Sequence, residues 1–161
     1  MPHRGSAGTP ATVALTAAGV PFSRHAYEHD PAAPSYGLEA AAVLGLPAEQ
    51  VFKTLVVDTG AGLAVGVVPV AGSLDLKAMA AALGVKKVAL ADLVAAQRVT
   101  GYVVGGISPV GQKRALLTVV DESAMLFETV YVSGGRRGLD LGLAPSDLVA
   151  ITGAVVADIV R

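Results

Sequence analysis

The chain contains no cysteine and no tryptophan in 161 residues, and only 4% of it is aromatic. Without cysteine there can be no disulfide, no thiolate metal site and no protein thiol nucleophile. The core has to be packed from Val, Leu and Ala. Charge is scarce too: 16% of residues are charged and the net charge is −1. That balance excludes a strong, non-specific nucleic-acid binder. Basic pairs occur at Lys86–Lys87, Lys113–Arg114 and Arg136–Arg137, and they read as solvated surface that supports at most weak, local phosphate contact. The longest stretch without charge, between Asp58 and Asp75, is shorter than the roughly 20 residues of a membrane-spanning helix. Gly60, Gly62, Gly66, Pro69 and Gly72 break it further. The first residues hold no sustained apolar run, so no signal peptide is read and a cytoplasmic protein is expected.

What is present is a 53% apolar chain, long enough for one domain with a substantial core. Residues 1–9 read as a flexible lead-in and residues 10–161 as a single domain. Thr9-Pro10 has the form of an N-cap followed by proline at the first helical position, opening a helix that ends near Gly19. A strand is expected within residues 21–27, then a short helix over Leu38–Leu44 stopped by Gly45 and Pro47. Residues 51–58 and 63–70 have the spacing of a hairpin. Ser73 or Asp75 can cap a helix that closes on Gly84, and Asp92 one that runs to Arg98. Short strands are expected over residues 86–90, 116–120, 129–133 and 139–143 and from Ala154, with a last helix opening at Pro145. Hairpin connections outnumber crossover spacings. The class is α+β, with a mixed, largely antiparallel sheet flanked by helices.

Lys53 is the charged residue that fits its surroundings least. In the strand Val51–Asp58, alternation puts Val51, Lys53, Leu55 and Val57 on one face and Phe52, Thr54 and Val56 on the other. Neither face is polar, so the strand reads as interior and covered on both sides. An ammonium group there is costly unless something pairs with it. Asp140, flanked by Leu139 and Leu141, is either an inward carboxylate that partners Lys53 or a plain surface residue.

Standard catalytic patterns do not account for Lys53. No Gly-x-Ser-x-Gly elbow is present. His3, His25 and His29 all lie near the N-terminus, and His29 in Glu-His-Asp-Pro reads as a turn residue. His25 and His29 fall on a strand running into a loop with no further ligands nearby, so no metal site is expected. Gly106-Ile-Ser-Pro-Val-Gly111 has the two-glycine spacing of a phosphate loop. It continues Gln112-Lys113-Arg114 and lacks the Lys-Ser/Thr pair. Gly105 and Gly106 can form either a small anion nest or a tight turn that needs positive φ.

Several segments together resemble one family: Tyr27–Pro31, Val51-Phe-Lys-Thr-Leu55, Leu74–Lys77, Thr100–Pro109 with Gly111–Lys113, and Tyr131–Gly135 through Arg137-Gly-Leu-Asp140. Their order and spacing are similar to those of the YbaK/EbsC family, bacterial Cys-tRNA(Pro) deacylases related to the insertion domain of prolyl-tRNA synthetase. The resemblance implies a barrel-like sheet and a trans-editing enzyme without a cofactor. It implies tRNA(Pro) mischarged with cysteine as substrate and a transient complex with prolyl-tRNA synthetase. It also implies that the substrate's own thiol attacks the ester. The corresponding pocket is Tyr27, Tyr36, Lys53, Thr54, Gly105, Gly106, Ser108, Ser133 and Asp140, with Lys53 as the catalytic cation and the Gly105 and Gly106 amides as oxyanion donors. Tyr36 stands where relatives commonly carry Phe. Thr54 needs a bulge to share the face of Lys53. An editing deacylase for another amino acid, such as alanine, and a non-catalytic tRNA- or synthetase-binding module are the competing readings.

Overall fold

The chain alternates short helices with short strands, and its local signals set most of the boundaries. The computed structural model describes residues 8–161, so the first seven of the nine residues expected as a lead-in lie outside the described residues. Thr9 is no part of a free tail. It caps helix α1 (Pro10–Ala17) in a reciprocal box with Thr12, and its hydroxyl donates to the Gly134 carbonyl. Helix α2 (Tyr36–Leu44) starts two residues earlier than expected because Ser35 accepts from the Leu38 amide. Asp75 and Asp92 cap α3 (Leu76–Leu83) and α4 (Leu93–Thr100). Helix α5 (Pro145–Thr152) begins on its proline without a side-chain cap.

Among the described residues, eight strands form two sheets. The smaller one has the order β1 (Ser23–Ala26), β7 (Leu139–Leu143), β6 (Val130–Ser133), all antiparallel. The larger runs β4 (Ala89–Leu90), β2 (Phe52–Asp58), β3 (Leu63–Pro69), β5 (Leu117–Asp121), β8 (Val155–Ala157). Its β3–β5 and β5–β8 pairs are parallel, so the sheet is mixed as expected. The barrel-like closure does not form. The two sheets touch through an isolated parallel bridge between Val51 and Tyr131. The strand expected over residues 86–90 shrinks to Ala89–Leu90, and a 3-10 helix at Glu122–Leu126 was not anticipated.

Strand β2 pairs with β3 along its whole length without a bulge, from Phe52 opposite Pro69 to Asp58 opposite Leu63. Its two faces enter different cores, as the doubly apolar pattern requires. Phe52 joins Val65, Val67, Val120 and the inward leucines Leu139, Leu141 and Leu143 of β7. Val57 joins Ala64, Val68, Met79 and Ile159. Leu141 is fully buried in the first of these cores, where it ties the small sheet to the large one. Leu141→Ala is expected to cost about 2–5 kcal/mol, read as a lowered urea midpoint with an unchanged m-value. A cost under about 1 kcal/mol would show that the two sheets are not held together there.

Candidate functional site

The second edge of β2 is paired only at its ends. Val57 and Asp58 meet β4, and Val51 bridges Tyr131. Between those points a cavity of about 350 Å³ opens against residues 51–56, with walls from α2, the β4–α4 segment, the loop at Val104–Gly105 and the small sheet. Antiparallel pairs alternate between bonded and non-bonded. The Val51 carbonyl accepts from Val70, which turns the backbone groups of residues 51, 53, 55 and 57 toward β3. Those of Phe52, Thr54 and Val56 therefore point to the open edge, where the Val56 carbonyl accepts from the Ala91 amide (2.9 Å). The Thr54 amide and carbonyl face the cavity. Its hydroxyl oxygen is the only buried side-chain polar atom without a hydrogen-bond partner among the described residues. No bulge is needed, because an unpaired strand edge lets residues from both faces line one cavity.

Tyr27, Tyr36, Lys53, Thr54, Gly105, Ser133 and Asp140 all line this space. Gly106 and Ser108 do not. The Gly106 amide is engaged by the Val103 carbonyl (2.9 Å), and a Cβ on Gly106 would lie 2.7 Å from the Arg136 backbone. Ser108 is fully buried, and its hydroxyl accepts from the Val110 amide (3.2 Å). Of the alternatives for this glycine pair, the tight turn is the one formed. Gly105 takes φ +88°, and a Cβ there would come within 2.6 Å of the Tyr36 ring.

Lys53 is half-buried and does not pair with Asp140. The only ion pair among the described residues is His29 with Glu39 (2.7 Å). Asp140 sits opposite both His25 and Ser133 in the small sheet. That row faces away from the leucines on either side of it, which brings the carboxyl to the cavity while leaving it 6% exposed. Burial without a paired cation pushes its pKa up to about 7. Tyr27 is pushed up to about 12, by its own burial first and then by the charges of Asp140 and Glu39.

Sequence reasoning missed the groups behind Tyr36. His29 is no idle turn residue: its Nδ1 bonds Glu39 and its ring lies 5.5 Å from that of Tyr36. The Asp30 amide donates to the other Glu39 oxygen (2.6 Å). That bond first, and then His29, hold the Glu39 carboxyl below the usual range. Arg137 is no simple solvated charge either. Its Nε donates to the Val104 carbonyl (2.8 Å), and its guanidinium lies 5.1 Å from the centre of the Tyr36 ring. Both residues fall within the segments that carry the family resemblance, but nothing local tied them to Tyr36. His25 is held elsewhere, by Ser23 (2.7 Å) and edge-on to Tyr131 (5.2 Å).

The open strand edge, buried carboxyl and half-buried lysine occur in a sequence that belongs to the aminoacyl-tRNA editing domain family, whose sequence model matches residues 30–151. Among its relatives is EbsC of Enterococcus faecalis, provisionally named a Cys-tRNA(Pro)/Cys-tRNA(Cys) deacylase. It is 39% identical over 117 residues, covering 72% of this chain and 71% of EbsC. The crystal structure of hypothetical protein APE2540 superposes with a TM-score of 0.85 at 32% identity, over 95% of this chain and all of that one. A protein provisionally described as a trans-editing enzyme for prolyl-tRNA synthetase gives 0.81 at 26% identity, over 94% and 95% of the two chains. No helix among the described residues is long and apolar enough to cross a membrane.

The raised pKa of Asp140 has a consequence for stability. The unfolded chain releases this proton near 3.8 and the folded chain near 7. The contribution is therefore fully present below about 3.8 and is lost as pH rises through about 7, at up to about 1.4 kcal/mol per pH unit. Asp140→Asn should remove this loss. Urea unfolding at pH 4, 5.5 and 7 is expected to show the mutant gaining on the wild type as pH rises, and parallel curves would show that the carboxyl stays ionised.

Proposed function

We propose that this chain is a deacylase that hydrolyses the ester of cysteine-charged tRNA(Pro) in trans. The observation that carries the reading is the meeting, at one open strand edge, of a half-buried lysine, an unpartnered hydroxyl and a carboxyl titrating near 7. Membership of an aminoacyl-tRNA editing family supports the reading that this edge handles an aminoacyl-tRNA end, and the relatives' names suggest cysteine. Binding alone separates amino acids of similar size poorly, so a synthetase for proline benefits from an enzyme that removes the wrong one.

The chain has no cysteine, and both described histidines are held by other groups. A sulfur nucleophile then comes from the substrate. Its thiol loses a proton and attacks the ester carbonyl, forming the C–S bond of a small thiolactone. The carbonyl–oxygen bond to the ribose breaks, and the ribose oxygen takes up a proton. Water later opens the thiolactone to free cysteine. Lys53 offsets the negative charge on the carbonyl oxygen as the tetrahedral centre forms. The Thr54 amide on the open edge is the donor best oriented to assist it, in the role expected of Gly106. The Thr54 hydroxyl offers a buried partner to the substrate, which favours ligands that satisfy it. Asp140, titrating near neutral pH, is suited to take the thiol proton and return it to the ribose oxygen.

Lys53→Ala is expected to lower turnover of Cys-tRNA(Pro) by roughly 100-fold or more while unfolding normally, since no ion pair is broken. Wild-type turnover by that variant sinks the proposed charge role. Serine- and alanine-charged tRNA should be cleaved far more slowly than Cys-tRNA. An equal rate on Ala-tRNA, which has no thiol, refutes attack by the substrate and points to an alanine-editing enzyme. Binding of charged tRNA with no hydrolysis of any of them leaves the non-catalytic module.

A further inference from the structure

Arg137 stands at the rim of the cavity with its guanidinium fixed and its outer edge free. Its Nε is bound to the Val104 carbonyl and its guanidinium carbon lies over the Tyr36 ring, and both of those residues line the cavity. The hairpin tip that carries it is braced as well. Gly106 packs on the Arg136 backbone, and Gly138, at φ +83°, lies so close to the Tyr27 carbonyl that a Cβ would come within 2.5 Å of it. The Nη nitrogens have no carboxylate within ion-pair distance among the described residues. The side chain is exposed. Nearby acids do not pair with it: Glu39 is engaged by His29 and the Asp30 amide, and Asp140, whose burial pushes its pKa up to about 7, makes no ion pair.

A cavity of about 350 Å³ has room for an aminoacyl group and part of a nucleoside. The first phosphate of a bound RNA end must then lie outside, at the rim. A planar fork with free Nη donors matches two phosphate oxygens, and a fork already held in place loses less freedom when it binds them. We propose that Arg137 binds the phosphodiester joining the terminal, aminoacylated nucleotide to the rest of the tRNA. This rests on the deacylase reading and adds to it the contact that sets the depth to which the ester enters. Tyr36 and Val104 position Arg137, and Arg137 positions the substrate.

The test compares wild type, Arg137→Ala and Arg137→Lys on two substrates: Cys-tRNA(Pro) and the cysteinyl ester of adenosine, which has no phosphate. Arg137→Ala should lower kcat/KM for the tRNA by roughly 10- to 100-fold and leave the nucleoside ester within about twofold. Arg137→Lys should restore part of the loss. The slope of log kcat/KM against log salt for the tRNA should become shallower by roughly 0.7 in Arg137→Ala, as expected for one lost single-strand phosphate contact. Equal losses on both substrates would reduce Arg137 to a brace for Tyr36 and overturn the proposal, as would no loss on the tRNA. Where the nucleoside ester is too slow to follow, an unchanged salt slope overturns it. A wild type inactive on both substrates instead removes the deacylase reading, and this inference with it.

Discussion

The site depends on an interruption in strand pairing. β2 is bonded to β3 along its full length, and that ladder holds it rigid. Its other edge is closed at one end by a two-residue strand and at the other by a single bridge. Had β4 been as long as β3, the Thr54 amide and carbonyl would be bonded within the sheet and no cavity would exist. An edge left open in this way leaves backbone donors and acceptors without ladder partners. A ligand with matching polar groups satisfies them, which favours it over one without.

The electrostatics follow from the same opening. The cavity holds a cation without a paired anion and a carboxyl that burial keeps from ionising below about pH 7. A Lys53–Asp140 ion pair would have cancelled both charges and left neither free to respond to a substrate. In the proposed deacylation, their separation leaves a positive centre for charge that would develop on an ester, beside a group that titrates near neutral pH. One wall is Tyr36, flanked by a paired His29–Glu39 from its own helix and the loop before it, and Tyr36 in turn supports Arg137 on a hairpin tip. Two distant stretches of chain thus meet at the aromatic surface.

Most local structure was legible because its signals are local. Thr9-Pro10, Asp75, Asp92 and Pro145 open helices where their capping chemistry says they should. The hairpins at residues 51–70 and 129–143 follow from alternation and intervening glycines. Barrel-like closure was wrong because closure depends on whether the outer strands meet, which alternation within one strand does not report. Gly106 and Ser108 were grouped with the pocket by motif, yet the turn spends the Gly106 amide on Val103 and buries Ser108 behind it.

The sequence by itself determined that Lys53 lies in a doubly apolar strand, that no protein thiol is available, and which family the chain resembles. These are properties of composition, order and period, and they survive without coordinates. Only the tertiary structure decided that Lys53 has no ion-pair partner among the described residues, that Thr54 reaches the cavity without a bulge, and that Arg137 and His29 converge on Tyr36. Each of those depends on where separate segments come to rest against one another. The unpaired edge of β2 decides that, and it exists only in the folded sheet.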